Sequence, residues 1–222
     1  MKQETMKKKL AFVLSGGGSR GALQAGALKA ILEGGYIPDI ITGTSIGAAN
    51  AAFLAVHGFS PQGIEKLQGL WLSTVNQDLL PTNLWTHTMR ILLRKPGTNT
   101  KERIRDFAVA NGLSPDLRFG DIKGVRLYLV AADLNAGQQV IFGQDLNECV
   151  LEGVMASMTL PPWMPPQETE GRYLMDGAAV SNLPIEAALR QGAGEVIALD
   201  LFDPNELESS EQGLRPFLWK LD

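Results

Sequence analysis

Leu10-Ala11-Phe12-Val13-Leu14-Ser15-Gly16-Gly17-Gly18-Ser19-Arg20-Gly21 is the stretch that decides the fold. Its first five residues are a continuous apolar run, the pattern of a strand buried on both faces. Glycines follow, then a helical pattern from Ala22 to Leu32 that Gly34-Gly35 closes. Strand, glycine loop, helix is the opening of an α/β unit, and a second step follows at once. Tyr36-Ile37-Pro38-Asp39-Ile40-Ile41 predicts a short strand, Gly43-Thr44-Ser45-Ile46-Gly47 a turn, and Ala48 to Val56 a helix ending near His57-Gly58. A third helix is expected from Ser60 to Thr74, with Ser60 as cap and Pro61 in the first helical position.

Further along, Val125 to Ala132 reads as a strand that Asn135-Ala136-Gly137 turns into a second, Gln138 to Phe142. Leu146 to Met158 predicts a helix capped by Asp145, and Pro161 to Pro166 a stiff loop. Arg172 to Met175 should be a strand, Asp176-Gly177-Ala178 a turn, Pro184 to Gln191 a helix and Val196 to Leu199 the last strand. Asn76 to Arg105 is the least regular part, interrupted by Pro96-Gly97. The alternation predicts an α/β fold with a mostly parallel central sheet sandwiched by helices.

With 222 residues, the chain is long enough for one sizeable core and short for two. We expect a basic leader over 1–8 and a single domain over 9–222. Apolar residues at 45% and charged residues at 20% describe an ordinary globular protein. No apolar run reaches the ~18 residues of a spanning helix, and Leu10 to Leu14 is too short for the core of a signal peptide. A net charge of −4 gives no reason to expect a nucleic-acid partner. Cys149, the single cysteine, allows no internal disulfide and suits a reducing compartment. A cytoplasmic location is the expectation. Leu214, Phe217, Leu218 and Trp219 near the end carry no helix stop after them, so the natural chain is expected to continue past Asp222.

A serine between a strand and a helix, flanked by glycines as Ser45 is by Gly43 and Gly47, sits on a sharp turn that exposes its hydroxyl at a helix N-terminus. That is how a nucleophile is presented. The same pattern in a chain with 24 glycines also fits an ordinary turn. Gly16, Gly18 and Gly21 satisfy the spacing of a dinucleotide loop, but the acid expected at the end of the second strand is missing: Asp39 precedes it. A Walker-type loop lacks its Lys-Ser or Lys-Thr. A plain strand-to-helix connection is a further reading. The remaining one is that Gly16, Gly17 and Gly18 converge their N–H groups on one point beside Ser45, as an oxyanion requires, with Arg20 fixing the loop or adding charge.

Such a serine needs a base. The two histidines are His57 and His87, and none follows, which rules out the chain order of an α/β-hydrolase triad. His57 lies about three turns from Ser45 on one helix, roughly 18 Å away; His87, in the irregular stretch, stays open as a base beside the plainer reading of a surface histidine. Aspartates at strand ends are Asp133, Asp176 and Asp200, and only Asp176 is followed by a tight small-residue turn. Asp176 fits equally a base or a cap on that turn.

Gly16-Gly17-Gly18-Ser19-Arg20-Gly21, Gly43-Thr44-Ser45-Ile46-Gly47 and Asp176-Gly177-Ala178, in this order, resemble the patatin-like lipid acyl hydrolases. Ala156 to Pro166 is similar to the family's Ala-Ser-x-x-x-Pro segment, and Asn182-Leu183-Pro184 after the aspartate is a further similarity. The resemblance implies a patatin-like fold and a Ser/Asp dyad. Ser45 would be the nucleophile on an elbow made by Gly43 and Gly47, Asp176 the base, and Gly16, Gly17, Gly18 and Arg20 the oxyanion region. It implies a serine esterase of the phospholipase or lysophospholipase kind, with an acyl lipid as substrate and neither metal nor other cofactor. The family often has glycine where this chain has Ala178, and is usually longer beyond the last strand. Trp85, Met89, Ile91, Leu92 and Leu93 beside Arg90, Arg94 and Lys95 make 84–105 the expected contact with an anionic membrane surface, against the plainer reading of a half-buried connecting helix. The competing function is a non-catalytic module binding lipid or an acyl carrier, with a nucleotide-binding domain behind it.

Overall fold

β1 (Leu10–Leu14) lies inside the sheet, with Phe12, Val13 and Leu14 fully buried, as its unbroken apolar run requires. The computed structural model describes residues 8–74, 100–161 and 164–202. β1 pairs in parallel with β2 (Ile40–Thr44) on one side and β7 (Glu195–Leu199) on the other, and β2 pairs in parallel with β3 (Arg126–Asp133). This parallel core carries the helical crossovers that parallel pairing demands. β3 extends it with antiparallel neighbours: β4 (Gln138–Phe142), and β6 (Arg172–Asp176), which in turn holds β5 (Gln167–Thr169).

The registers on β3 place the two strands that matter. β4 spans Leu129 to Asp133, so it shares residues with both β2, which ends with Thr44 opposite Val130, and β6, which ends with Asp176 opposite Ala131. A strand has two edges, so β2 and β6 lie on the same edge of β3, opposite β4. They run in opposite directions and meet end to end. The carboxyl ends of β2 and β6 therefore abut.

One face of the sheet is covered by α1 (Gly21–Glu33), α2 (Ile46–His57), α3 (Pro61–Thr74) and α5 (Val150–Ser157), around Phe12, Leu14, Ile41 and Leu129. α4 (Thr100–Ala110) packs on α5 from outside. The other face is smaller, with Ala11, Val13, Ile40 and Tyr128 against Ala188 of α6 (Ile185–Arg190). α2 is buried nearly all round, and its alanines Ala48, Ala51 and Ala52 let it approach the sheet closely. Full burial of one leucine such as Leu54 contributes about 2–3 kcal/mol.

Some boundaries move from their expected places. β2 begins at Ile40 rather than Tyr36, because Pro38 has no N–H for a ladder; Tyr36 and Ile37 stay 55% and 62% exposed. α5 begins at Val150, not Leu146: Asp145 Oδ1 accepts the Asn147 N–H in a local turn, and Cys149 pairs with Arg118 before the helix can start. The end of the irregular stretch is the ordered helix α4, where Ile104 is buried and Arg105 pairs with Glu152 at 2.7 Å. The remainder of the expected membrane-contacting segment, residues 84–99, lies outside the described residues, as do His87 and the apolar stretch near Asp222. Among the described residues no helix is long and apolar enough to cross a membrane.

Candidate active site

Ser45 joins β2 to α2 with φ 55° and ψ −126°, backbone space that residues with a side chain avoid. Such a conformation costs about 1–3 kcal/mol and persists only where its surroundings impose it. Here the surroundings are two close approaches. A Cβ on Gly43 would stand 2.4 Å from the Gly47 carbonyl oxygen, and one on Gly47 would stand 2.4 Å from that of Leu14. Glycine is a steric necessity at both. Thr44 Oγ1 donates to the Ser181 carbonyl at 2.8 Å, the Ser45 N–H donates to Ser157 Oγ at 2.8 Å, and the Ser45 carbonyl accepts the Ala48 N–H at 2.9 Å. Its backbone is fixed on both sides and Ser45 is half-buried, so what remains to be placed is its hydroxyl.

It points at Asp176. Ser45 Oγ donates to Asp176 Oδ2 at 2.5 Å, while Asp176 Oδ1 accepts the Ala178 N–H at 2.8 Å. Asp176 is 3% exposed, and its own N–H donates to the Thr159 carbonyl at 2.7 Å. Burial pushes its carboxyl up from the ordinary 3.8 to about 6, against the lowering effect of the hydrogen bonds from Ser45 and Ala178. Both readings of this residue hold at once: one oxygen caps the Gly177–Ala179 turn and the other receives the serine.

The glycine loop comes as close as a backbone can. A Cβ on Gly16 would lie 3.0 Å from Ser45 Cβ and 2.6 Å from Asn182 Oδ1. The Gly16 N–H is already spent on the Asn182 carbonyl at 3.1 Å, and Asn182 Nδ2 returns a bond to the Gly16 carbonyl at 3.4 Å. Among the described residues, no acceptor stands on the N–H of Gly17 or Gly18. Gly18 is exposed and the half-buried Arg20 closes the short 3-10 turn that follows. The segment after Asp176 thus returns, through Ser181 and Asn182, to pin both glycine loops.

A buried polar chain lies beneath. Gln24 Nε2 donates to the Ser15 carbonyl at 2.9 Å, Asn50 Nδ2 donates to Gln24 Oε1 at 2.9 Å and to the Gly21 carbonyl at 3.0 Å, and Trp71 Nε1 donates to Asn50 Oδ1 at 3.0 Å. Three helices are locked under the loop by it. Sequence reasoning found no role for Gln24, Asn50, Ser157 or Asn182; a lone Asn among the alanines of α2 was the available signal for the first pair.

The other candidates are elsewhere. His57 Nε2 lies 3.1 Å from the Asn111 carbonyl at the far end of α2. Asp133 Oδ1 accepts from the N–H groups of Asn135 and Ala136, and Asp200 Oδ1 from that of Phe202, so both cap turns. No group of His, Cys, Asp and Glu among the described residues is placed to hold a metal ion.

A parallel core ending in a strained serine, a glycine loop pressed against it and an aspartate delivered by an opposed strand define an α/β domain of the patatin type. The chain belongs to the patatin-like phospholipase family, whose sequence profile matches residues 12–189. It is 30% identical over 207 residues to patatin-like phospholipase domain-containing protein 7 of Mus musculus, covering 92% of this chain and 14% of that protein. It is 29% identical over 221 residues to the uncharacterized protein YqhO of Bacillus subtilis (strain 168), covering 91% of this chain and 74% of that one. The chain therefore spans about a seventh of the mammalian relative and most of the bacterial one. In fold it resembles VipD from Legionella pneumophila, with a TM-score of 0.57 at 15% identity over 92% of this chain and 52% of that chain.

Proposed function

We propose that this chain is the catalytic domain of a serine lipid acyl hydrolase that cleaves carboxylic esters of phospholipids, lysophospholipids or other acyl lipids. The observation that carries the reading is the 2.5 Å bond from Ser45 Oγ to a buried carboxylate oxygen of Asp176, with a glycine loop against the same serine. Asp176 takes the hydroxyl proton as Ser45 Oγ attacks the ester carbonyl. The tetrahedral oxyanion is held by the N–H groups of Gly17 and Gly18, with Arg20 behind the loop; Gly16, whose N–H serves Asn182, contributes close approach instead. Asp176 returns the proton to the departing alcohol, and the acyl-serine is then hydrolysed by a water that the same carboxylate deprotonates. Family membership supports an acyl lipid as substrate.

Labelling with a fluorophosphonate probe tests this. Wild type should be labelled, Ser45→Ala not at all, and Asp176→Asn at least about 100-fold more slowly, within the 10²–10⁴ that a positioned base contributes. A folded wild type that resists the probe would instead favour a non-catalytic lipid- or acyl-carrier-binding module.

A further inference from the structure

The turn that ends α5 touches both members of the pair, and it touches each at its main-chain N–H. Ser157 is fully buried. Its hydroxyl donates to the Val130 carbonyl at 2.6 Å, which leaves its lone pairs to accept the Ser45 N–H at 2.8 Å. Two residues on, the Thr159 carbonyl accepts the Asp176 N–H at 2.7 Å. Thr159 is fully buried too, with its hydroxyl on the Met155 carbonyl at 2.7 Å, which ties the turn back to α5. Val130 faces Thr44 across the sheet and Ala131 faces Asp176. The segment 157–159 thus bridges the junction where β2 and β6 meet, with one anchor on each side.

We propose that Ser157 is a positioning residue: its hydroxyl, oriented by Val130, grips the N–H of the strained Ser45 and so aims Oγ at Asp176, while removing that N–H from the donors open to an oxyanion. The proposal rests on Ser45 being the nucleophile. Without the grip, Ser45 has a backbone conformation that its side chain disfavours and one fewer bond to hold it there. The hydroxyl then samples directions away from the carboxylate, and misplacement of a reacting group by about 1 Å costs on the order of 100-fold in rate.

The test is steady-state hydrolysis of a p-nitrophenyl ester by the full chain, with kcat expressed per site titrated by a fluorophosphonate. Ser157→Ala removes the hydroxyl; Ser157→Cys keeps the shape of the side chain, slightly enlarged, with a weak donor and acceptor, and serves should the alanine variant fold poorly. In both, kcat per titrated site should fall about 10- to 100-fold while KM stays within about threefold. A serine that merely fills the core would lower the titre and the melting temperature and leave kcat per titrated site alone. A value within fivefold of wild type in either folded variant overturns the proposal. Wild type that reacts at Ser45 beside unimpaired Ser157 variants sinks this inference only; a wild type unreactive at Ser45 sinks the catalytic reading and takes this one with it.

Discussion

On the proposed mechanism, Asp176 sets activity and stability against each other through one proton. Its carboxyl titrates near pH 6 in the fold and near 3.8 when the chain is unfolded, so between these values the folded state binds more proton and stability falls as pH rises. Above about pH 6 the buried carboxylate leaves the fold up to about 3 kcal/mol less stable than at pH 4, at 1.36 kcal/mol per pKa unit. Asp176→Asn keeps an oxygen for the Ala178 N–H and carries no charge. We expect its melting temperature to exceed that of wild type at pH 8, with the gap closing towards pH 4; a gap that ignores pH would contradict the burial argument. Over the same range wild-type kcat/KM should rise about tenfold per pH unit below 6 and level off above it. Sequence could place Ser45 because a local pattern, two glycines around a serine, carries the geometry. It left Asp176 between cap and base because both roles depend on the same turn. Ser157 and Asn182 stood in stretches that carry the family resemblance, but their roles were not legible, since their partners are 112 and 166 residues away along the chain.

At the scale of elements, the boundaries that moved did so for local reasons that pattern reading underweighted. Apolar Tyr36 and Ile37 extended the expected strand, and Pro38 cut it. Asp145 had the chemistry of a helix cap and used it on Asn147. Long apolar runs such as β3 were legible because burial on both faces leaves no room for another pattern. The β2–α2 junction is the element most sensitive to a single atom. In Gly47→Ala the new Cβ would meet the Leu14 carbonyl oxygen at 2.4 Å, a backbone atom that moves only if β1 moves. We expect a loss of about 3 kcal/mol, the upper end of ordinary overpacking, and a melting temperature lower by roughly 6–12 °C for a chain of this size. Scanning calorimetry reads it, and an alanine variant that melts with wild type would mean that the junction has slack.

Over the whole molecule, the site draws on residues from Ser15 to Asn182, brought together by strand pairing rather than by neighbourhood in the chain. Pairings of such sequence separation form late and cooperatively. In a urea titration, probe labelling at Ser45 and far-UV circular dichroism should therefore be lost at the same midpoint. Labelling lost well before the dichroism would show that the site opens on its own. The head-on meeting of β2 and β6 has a further consequence. Because both strands are indexed to β3, the spacing between Ser45 and Asp176 is a property of registry: a slip of β6 by one residue would carry the carboxylate about 3.3 Å along the edge and turn it to the opposite side of the sheet. Side-chain motion cannot compensate for an error of that size. The pair is thus calibrated digitally, in whole residues, and on the proposed mechanism a molecule that has zipped β6 onto β3 in any other frame would be inactive however native its remaining structure.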